Sequence, residues 1–153
     1  MNSVEISLEG IEDAAWLERA RVFALAVLSK LGKESWDLSM LFCDDAFIRG
    51  LNQQYRDRDE ATDVLSFEQG TTYRGQEGEE RVLAGDIVIS MQALERNSAD
   101  FGVSLDEELQ RLVLHGILHL AGMDHEDNDP GRGMLQFQER LLAELRNQGG
   151  ILL

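Results

Sequence analysis

Apolar and polar residues alternate from Val4 to Leu8, with Val4, Ile6 and Leu8 on one side, the pattern of a half-buried strand. Asp13 is placed to cap a helix rich in Ala and Leu that runs to about Leu31 and stops at Gly32. A second apolar run, Trp36 to Cys43, predicts another strand. Asp44 or Asp45 then stands ready to cap a short helix through Ala46, Ile48, Leu51 and Gln54. Val64 to Phe67 and Ile87 to Met91 predict two further strands. The polar stretch between them, Glu68 to Arg81, contains three glycines and reads as an exposed loop. A short helix is expected from Gln92 to Asp100, ending at Gly102.

The next helix has well-marked ends. Ser104-Leu105-Asp106-Glu107 matches a capping box, in which the serine hydroxyl and the glutamate carboxylate each satisfy an orphan amide. Gly122 is a natural left-handed stop. Leu105, Leu109, Leu112, Val113, Ile117, Leu118 and Leu120 lie between them and predict a largely buried helix. Asp129-Pro130 supplies a cap and a first-turn proline for a last amphipathic helix bearing Met134, Phe137, Leu141 and Leu145, ended by Gly149-Gly150. Strands and helices are mixed rather than strictly alternating. The expected fold is α+β: a small mixed sheet of about four strands with helices packed on it. The 153 residues carry no repeat or low-complexity tract, so one domain spanning 1–153 is expected.

Composition narrows the setting. One cysteine, Cys43, excludes an intrachain disulfide; in an apolar run it is expected to be a buried structural thiol, and the chain suits a reducing compartment. The N-terminus lacks the basic and apolar regions of a signal peptide, and the longest apolar run, Val22 to Leu28, is too short to span a bilayer. A cytoplasmic protein without a membrane partner is expected. With 14 basic against 29 acidic residues, the net charge of −15 repels nucleic acid at long range. No DNA partner is expected, and RNA binding has to rest on local basic residues and a metal.

The three histidines of the chain fall within eleven residues, His115-Gly-Ile-Leu-His119-Leu-Ala-Gly122-Met-Asp-His125. Residues i and i+4 share one helix face, so His115 and His119 can meet at one ion. A turn at Gly122 can bring His125 to the same point. Three neutral imidazoles with an open fourth position suit a catalytic zinc better than a structural one, although nickel and copper also accept such donors. Asp124 and Glu126 are candidates to orient the rings. The alternative is two core histidines on an apolar helix and an unrelated third on a turn. The spacing coincides with the metzincin peptidase pattern H-E-x-x-H-x-x-G-x-x-H, but Gly116 stands where that chemistry needs a glutamate base. Met134 is read as core rather than as a Met-turn. A metallopeptidase is therefore disfavoured.

The run His115-Gly116-x-Leu118-His119-Leu120-x-Gly122-x-Asp124-His125 resembles the signature of the YbeY family, bacterial metal-dependent endoribonucleases of ribosomal RNA maturation. Leu51-Asn52-Gln53-Gln54-Tyr55-Arg56 resembles the family's L-N-x-x-Y-R, Thr62 to Phe67 its T-D-V-L-S-F, and Gly85-Asp86-Ile87 its G-D-I. Glu68 stands where the family usually has proline. The resemblance implies a small α+β fold, one zinc on His115, His119 and His125, and Arg56 facing the metal cleft. His115 and Arg56 are the candidate catalytic residues, with Arg56 suited to the charge that develops on a phosphoryl group. A surface ion pair is the competing role for Arg56. Arg49, Arg58, Arg74 and Arg81 are candidate phosphate contacts; Tyr55 and Phe67 are candidate stacking platforms, with core packing favoured for Phe67. Asp63 and Asp86 are expected to hold turns. The implied partners are single-stranded ribosomal RNA and the ribosome or its assembly proteins. The expected function is a metal-dependent endoribonuclease of rRNA maturation and ribosome quality control; the alternative is a metal-stabilised assembly factor that cleaves little itself.

Overall fold

The computed structural model describes residues 1–123, 133–146 and 150–151. Four strands form one mixed sheet in the order β1-β2-β4-β3. Strand β1 (Ser3–Glu9) pairs in parallel with β2 (Trp36–Cys43), and helix α1 (Trp16–Lys30) makes the crossover that a parallel pair requires. Helix α2 (Asp45–Arg56) follows β2, and the chain returns as the hairpin of β3 (Val64–Arg74) and β4 (Glu80–Ser90). Strand β4 inserts parallel to β2, which leaves β3 at the sheet edge. Helices α3 (Met91–Phe101), α4 (Leu105–Leu120) and α5 (Met134–Arg146) complete the described chain.

Alternation along the central strands divides the interior in two. Leu38, Met40 and Phe42 of β2, with Ile87 and Ile89 of β4, pack against Ala24 and Leu28 of α1, Val113 and Ile117 of α4, and Leu141 and Leu145 of α5. The intervening Cys43 and Val88 pack on the opposite side with Leu65 and with Ile48 of α2. The sheet is thus covered by α1, α4 and α5 on one face and by α2 on the other.

Three expectations need correction. The stretch Glu68 to Arg81 is not a loop: β3 continues to Arg74 and β4 begins at Glu80, with a register shift between Glu68 and Thr71 opposite Gly85. Every residue from Glu68 to Arg74 is exposed, so neither face carries an apolar pattern to mark a strand. The distal hairpin is instead tied to β2 through Asp37, which accepts hydrogen bonds from Arg81 at 2.7 Å, from Ser3 at 2.6 Å and from the Tyr73 hydroxyl. Asp13 does not cap α1, whose N-cap is Ala15 without a side-chain bond. Elsewhere the caps stand where their residue types place them, with Asp44 accepting from the Phe47 amide and Ser104 from the Glu107 amide. The Glu107 carboxylate does not return to Ser104; it pairs with Arg111 and Arg146. Asp129-Pro130 lies outside the described residues.

Candidate active site

Helix α4 can carry its histidines close to the sheet because Gly116 has no side chain. A Cβ there would lie 2.8 Å from Cγ2 of Ile87, inside van der Waals contact. One turn of helix separates His115 from His119, and their Nε2 atoms approach to 3.0 Å with the rings inclined at 81°. The helix ends as its sequence dictates. Gly122 takes φ 94°, its amide bonds the His119 carbonyl and the Met123 amide bonds that of Leu118, so the chain turns back immediately after the second histidine. His125, Asp124 and Glu126 lie outside the described residues.

A cleft of about 920 Å³ opens beside the pair. Its walls are the end of α4, the first residues of edge strand β3, and the segment that follows α2. Asn52 shapes that segment. Asn52 is 4% exposed; its side-chain Nδ2 donates to the Glu60 carbonyl at 2.9 Å, while its backbone carbonyl accepts from the Asp57 and Arg58 amides. Asp57 supplies the left-handed residue at the helix end, with φ 56°.

Arg56, the last residue of α2, lines the cleft opposite the histidines' helix. Its Nη2 donates to the Ser66 carbonyl at 2.8 Å and its guanidinium lies 5.5 Å from the Phe67 ring centroid. Tyr55 meets the same ring edge-on at 5.4 Å and is 59% exposed. Phe67 therefore both packs toward the interior beneath α2 and forms part of the cleft wall. The described lining carries two arginines, Arg56 and Arg58, and two glutamates, Glu60 and Glu68. Locally this is balanced, in a chain whose net charge is −15.

Of the other candidate phosphate contacts, only Arg58 reaches the cleft among the described residues, with Glu60 at 4.0 Å. Arg49 is bound to Asp59 at 2.7 Å. Arg74 and Arg81 belong to the distal hairpin, where Arg74 bonds the Gly78 carbonyl and Arg81 holds Asp37. Asp63 has the expected turn role: its carboxylate accepts from the Val64 amide and from Asn97. Asp86 stands in register with Phe67 on β3 and Ser39 on β2.

Sequence reasoning missed Gln138. This α5 side chain, 3% exposed, presents Oε1 to His115 Nδ1 at 2.8 Å, and its Nε2 donates to Glu139 at 3.4 Å. Arg111 of α4 grips both Glu139 oxygens at 2.9 Å and holds its carboxyl below the usual range. Beside it, burial raises the Glu108 carboxyl despite its bond to the same arginine.

A sequence model of Endoribonuclease YbeY matches residues 5–146. The chain belongs to the YbeY family. Relatives named Endoribonuclease YbeY include one from Treponema denticola, 53% identical over 148 residues and covering 95% of each chain. Another, from Treponema pallidum, is 48% identical over 144 residues, covering 94% of this chain and 90% of its own. A solution structure from Thermotoga maritima superposes with a TM-score of 0.64 at 27% identity, over 94% of this chain and 90% of that one. The YbeY assignment and the α+β fold thus agree with the sequence reading. No helix among the described residues is long and apolar enough to cross a membrane.

Proposed function

We propose that this chain is a cytoplasmic, metal-dependent endoribonuclease that cuts single-stranded ribosomal RNA during rRNA maturation and ribosome quality control. His115, His119 and His125 are proposed to hold one zinc. The observation that carries this reading is the convergence of two imidazole Nε2 atoms on a cleft whose far wall presents an arginine. The donor set fits the ion. Two nitrogens at Zn–N distances of about 2.0–2.1 Å in a tetrahedral site stand about 3.3 Å apart, close to the 3.0 Å between these two. The third ligand of the proposal, His125, is outside the described residues.

Zinc bound there supplies a Lewis acid to a phosphoryl oxygen. The protein's own contribution is orientation and charge. Arg56 spends one of its five donors on Ser66, which fixes the fork's direction without neutralising it. Its positive charge then faces the cleft where a phosphodiester gains negative charge in the transition state. Tyr55 and Phe67 offer π faces and edges next to that position, which suits unpaired bases better than a duplex. Gly116 speaks against a peptidase: the glutamate base is absent, and any side chain at that position would have to displace Ile87.

The test is cleavage of a single-stranded ribosomal RNA fragment by protein stripped with a chelator and then reloaded with zinc. Loss and recovery of cleavage is the expected result. A zinc-loaded protein that binds ribosomal particles but leaves the RNA intact would favour an assembly factor instead.

A further inference from the structure

We propose that Gln138 is a positioning residue that fixes the tautomer of His115, keeping the proton on Nδ1 and the Nε2 lone pair turned toward His119 and the cleft. The inference rests on the metal reading above only for its consequence, not for its geometry.

The end of the Gln138 amide that faces the histidine decides where the His115 proton sits. An amide has one donating end and one accepting end. Its nitrogen lies 3.4 Å from Oε2 of Glu139, and both oxygens of that carboxylate already take hydrogen bonds from Arg111. A carboxylate gripped in this way accepts and does not donate. The Gln138 nitrogen therefore belongs on the Glu139 side, and the oxygen is the atom that meets His115 Nδ1 at 2.8 Å. An oxygen acceptor at that distance requires Nδ1–H. In the neutral ring Nε2 is then the unprotonated nitrogen.

Burial makes the choice binding. Gln138 is 3% exposed, so neither amide end has bulk water as an alternative partner, and reversing it would set N–H against N–H at His115 and oxygen against oxygen at Glu139. Arg111 on α4 and Glu139 on α5 thereby set the amide's direction, and the amide sets the histidine's. The Nε2 lone pair of His115 thus points to the side where His119 Nε2 lies at 3.0 Å.

Long-range nitrogen–proton NMR of metal-free protein at pH 8 reads the His115 tautomer directly, and zinc titration reads the consequence. Wild-type His115 is expected as the Nδ1–H form. Gln138→Met removes the acceptor at similar volume and is expected to mix the His115 tautomers and weaken zinc binding about 10- to 100-fold. Gln138→Glu keeps an acceptor and is expected to keep the Nδ1–H form, which separates the role from packing. An Nε2–H His115 in the wild type, or Gln138→Met with unchanged tautomer, would overturn the proposal. If wild type shows the expected tautomer and Gln138→Met alters it while zinc binds neither protein, the positioning stands and the metal reading fails.

Discussion

Gly116 and Ile87 occupy touching positions on α4 and β4, so close that a single methyl group on the glycine would meet three carbons of the isoleucine at 2.8 to 3.0 Å. This contact brings the histidine helix close to the sheet, and it disfavours any side chain, including the glutamate that a zinc peptidase would need there. Gly116→Ala gains about 1 kcal/mol of helix propensity but forces overpacking that costs about 1–3 kcal/mol. A net loss of stability in urea unfolding is expected. Combining it with Ile87→Ala should recover part of that loss relative to the sum of the single changes. A Gly116→Ala protein more stable than the wild type would show that the helix yields freely.

Arg56 has a separable role. Its bond to the Ser66 carbonyl is exposed, so Arg56→Gln should leave the melting temperature nearly unchanged and the metal content intact. RNA cleavage should fall by about 10²- to 10³-fold, as when a donor to a developing anion is removed. Wild-type turnover in this variant would take Arg56 out of the mechanism.

The distal hairpin gives a pH-dependent prediction away from the cleft. The Arg81 guanidinium, with Ser3 and Tyr73, holds the Asp37 carboxyl down at about 2. A depressed carboxylate stabilises the fold above its unfolded value of about 3.9 and loses that contribution as pH falls toward its folded value. Asp37→Asn should therefore cost about 1–2 kcal/mol at pH 7, with the difference from wild type shrinking between pH 4 and pH 2. Urea unfolding at pH 7 and pH 3 checks this. An equal difference at both would mean that the ion pair contributes nothing to the pH dependence.

Cys43 lies fully buried beneath α2, and burial, with Asp44 and Asp45 nearby, pushes its thiol up to about 12. Native protein should resist an aromatic disulfide reagent at pH 8 and react only after denaturation. Rapid labelling of the folded chain would contradict the packing described for this side of the sheet.

The parts of this molecule written in local patterns were legible in the sequence. The core strands announce themselves through Val4, Ile6 and Leu8, through the run into Cys43, and through Ile87 and Ile89. The i, i+4 spacing of His115 and His119 translates directly into facing nitrogens. The hairpin beyond Glu68 was missed because its order comes from a ladder and from Asp37, which lies 36 residues from Tyr73 and 44 from Arg81. Gln138 was missed for the same reason. It reads as one polar position on an amphipathic helix, and only the packing of α5 on α4 brings it to a histidine 23 residues away. Arg74 and Arg81 lie in the distal hairpin rather than at the cleft, a placement that charge alone does not reveal, because it does not say which end of a strand a side chain occupies.

The most direct test of the account is cleavage of a single-stranded ribosomal RNA fragment by zinc-loaded wild type beside His119→Ala purified identically, with metal content measured in both. The account predicts cleavage and about one zinc per chain for the wild type, and loss of both for the variant. Equal cleavage by the two proteins would contradict it, because the activity would not then depend on the paired histidines.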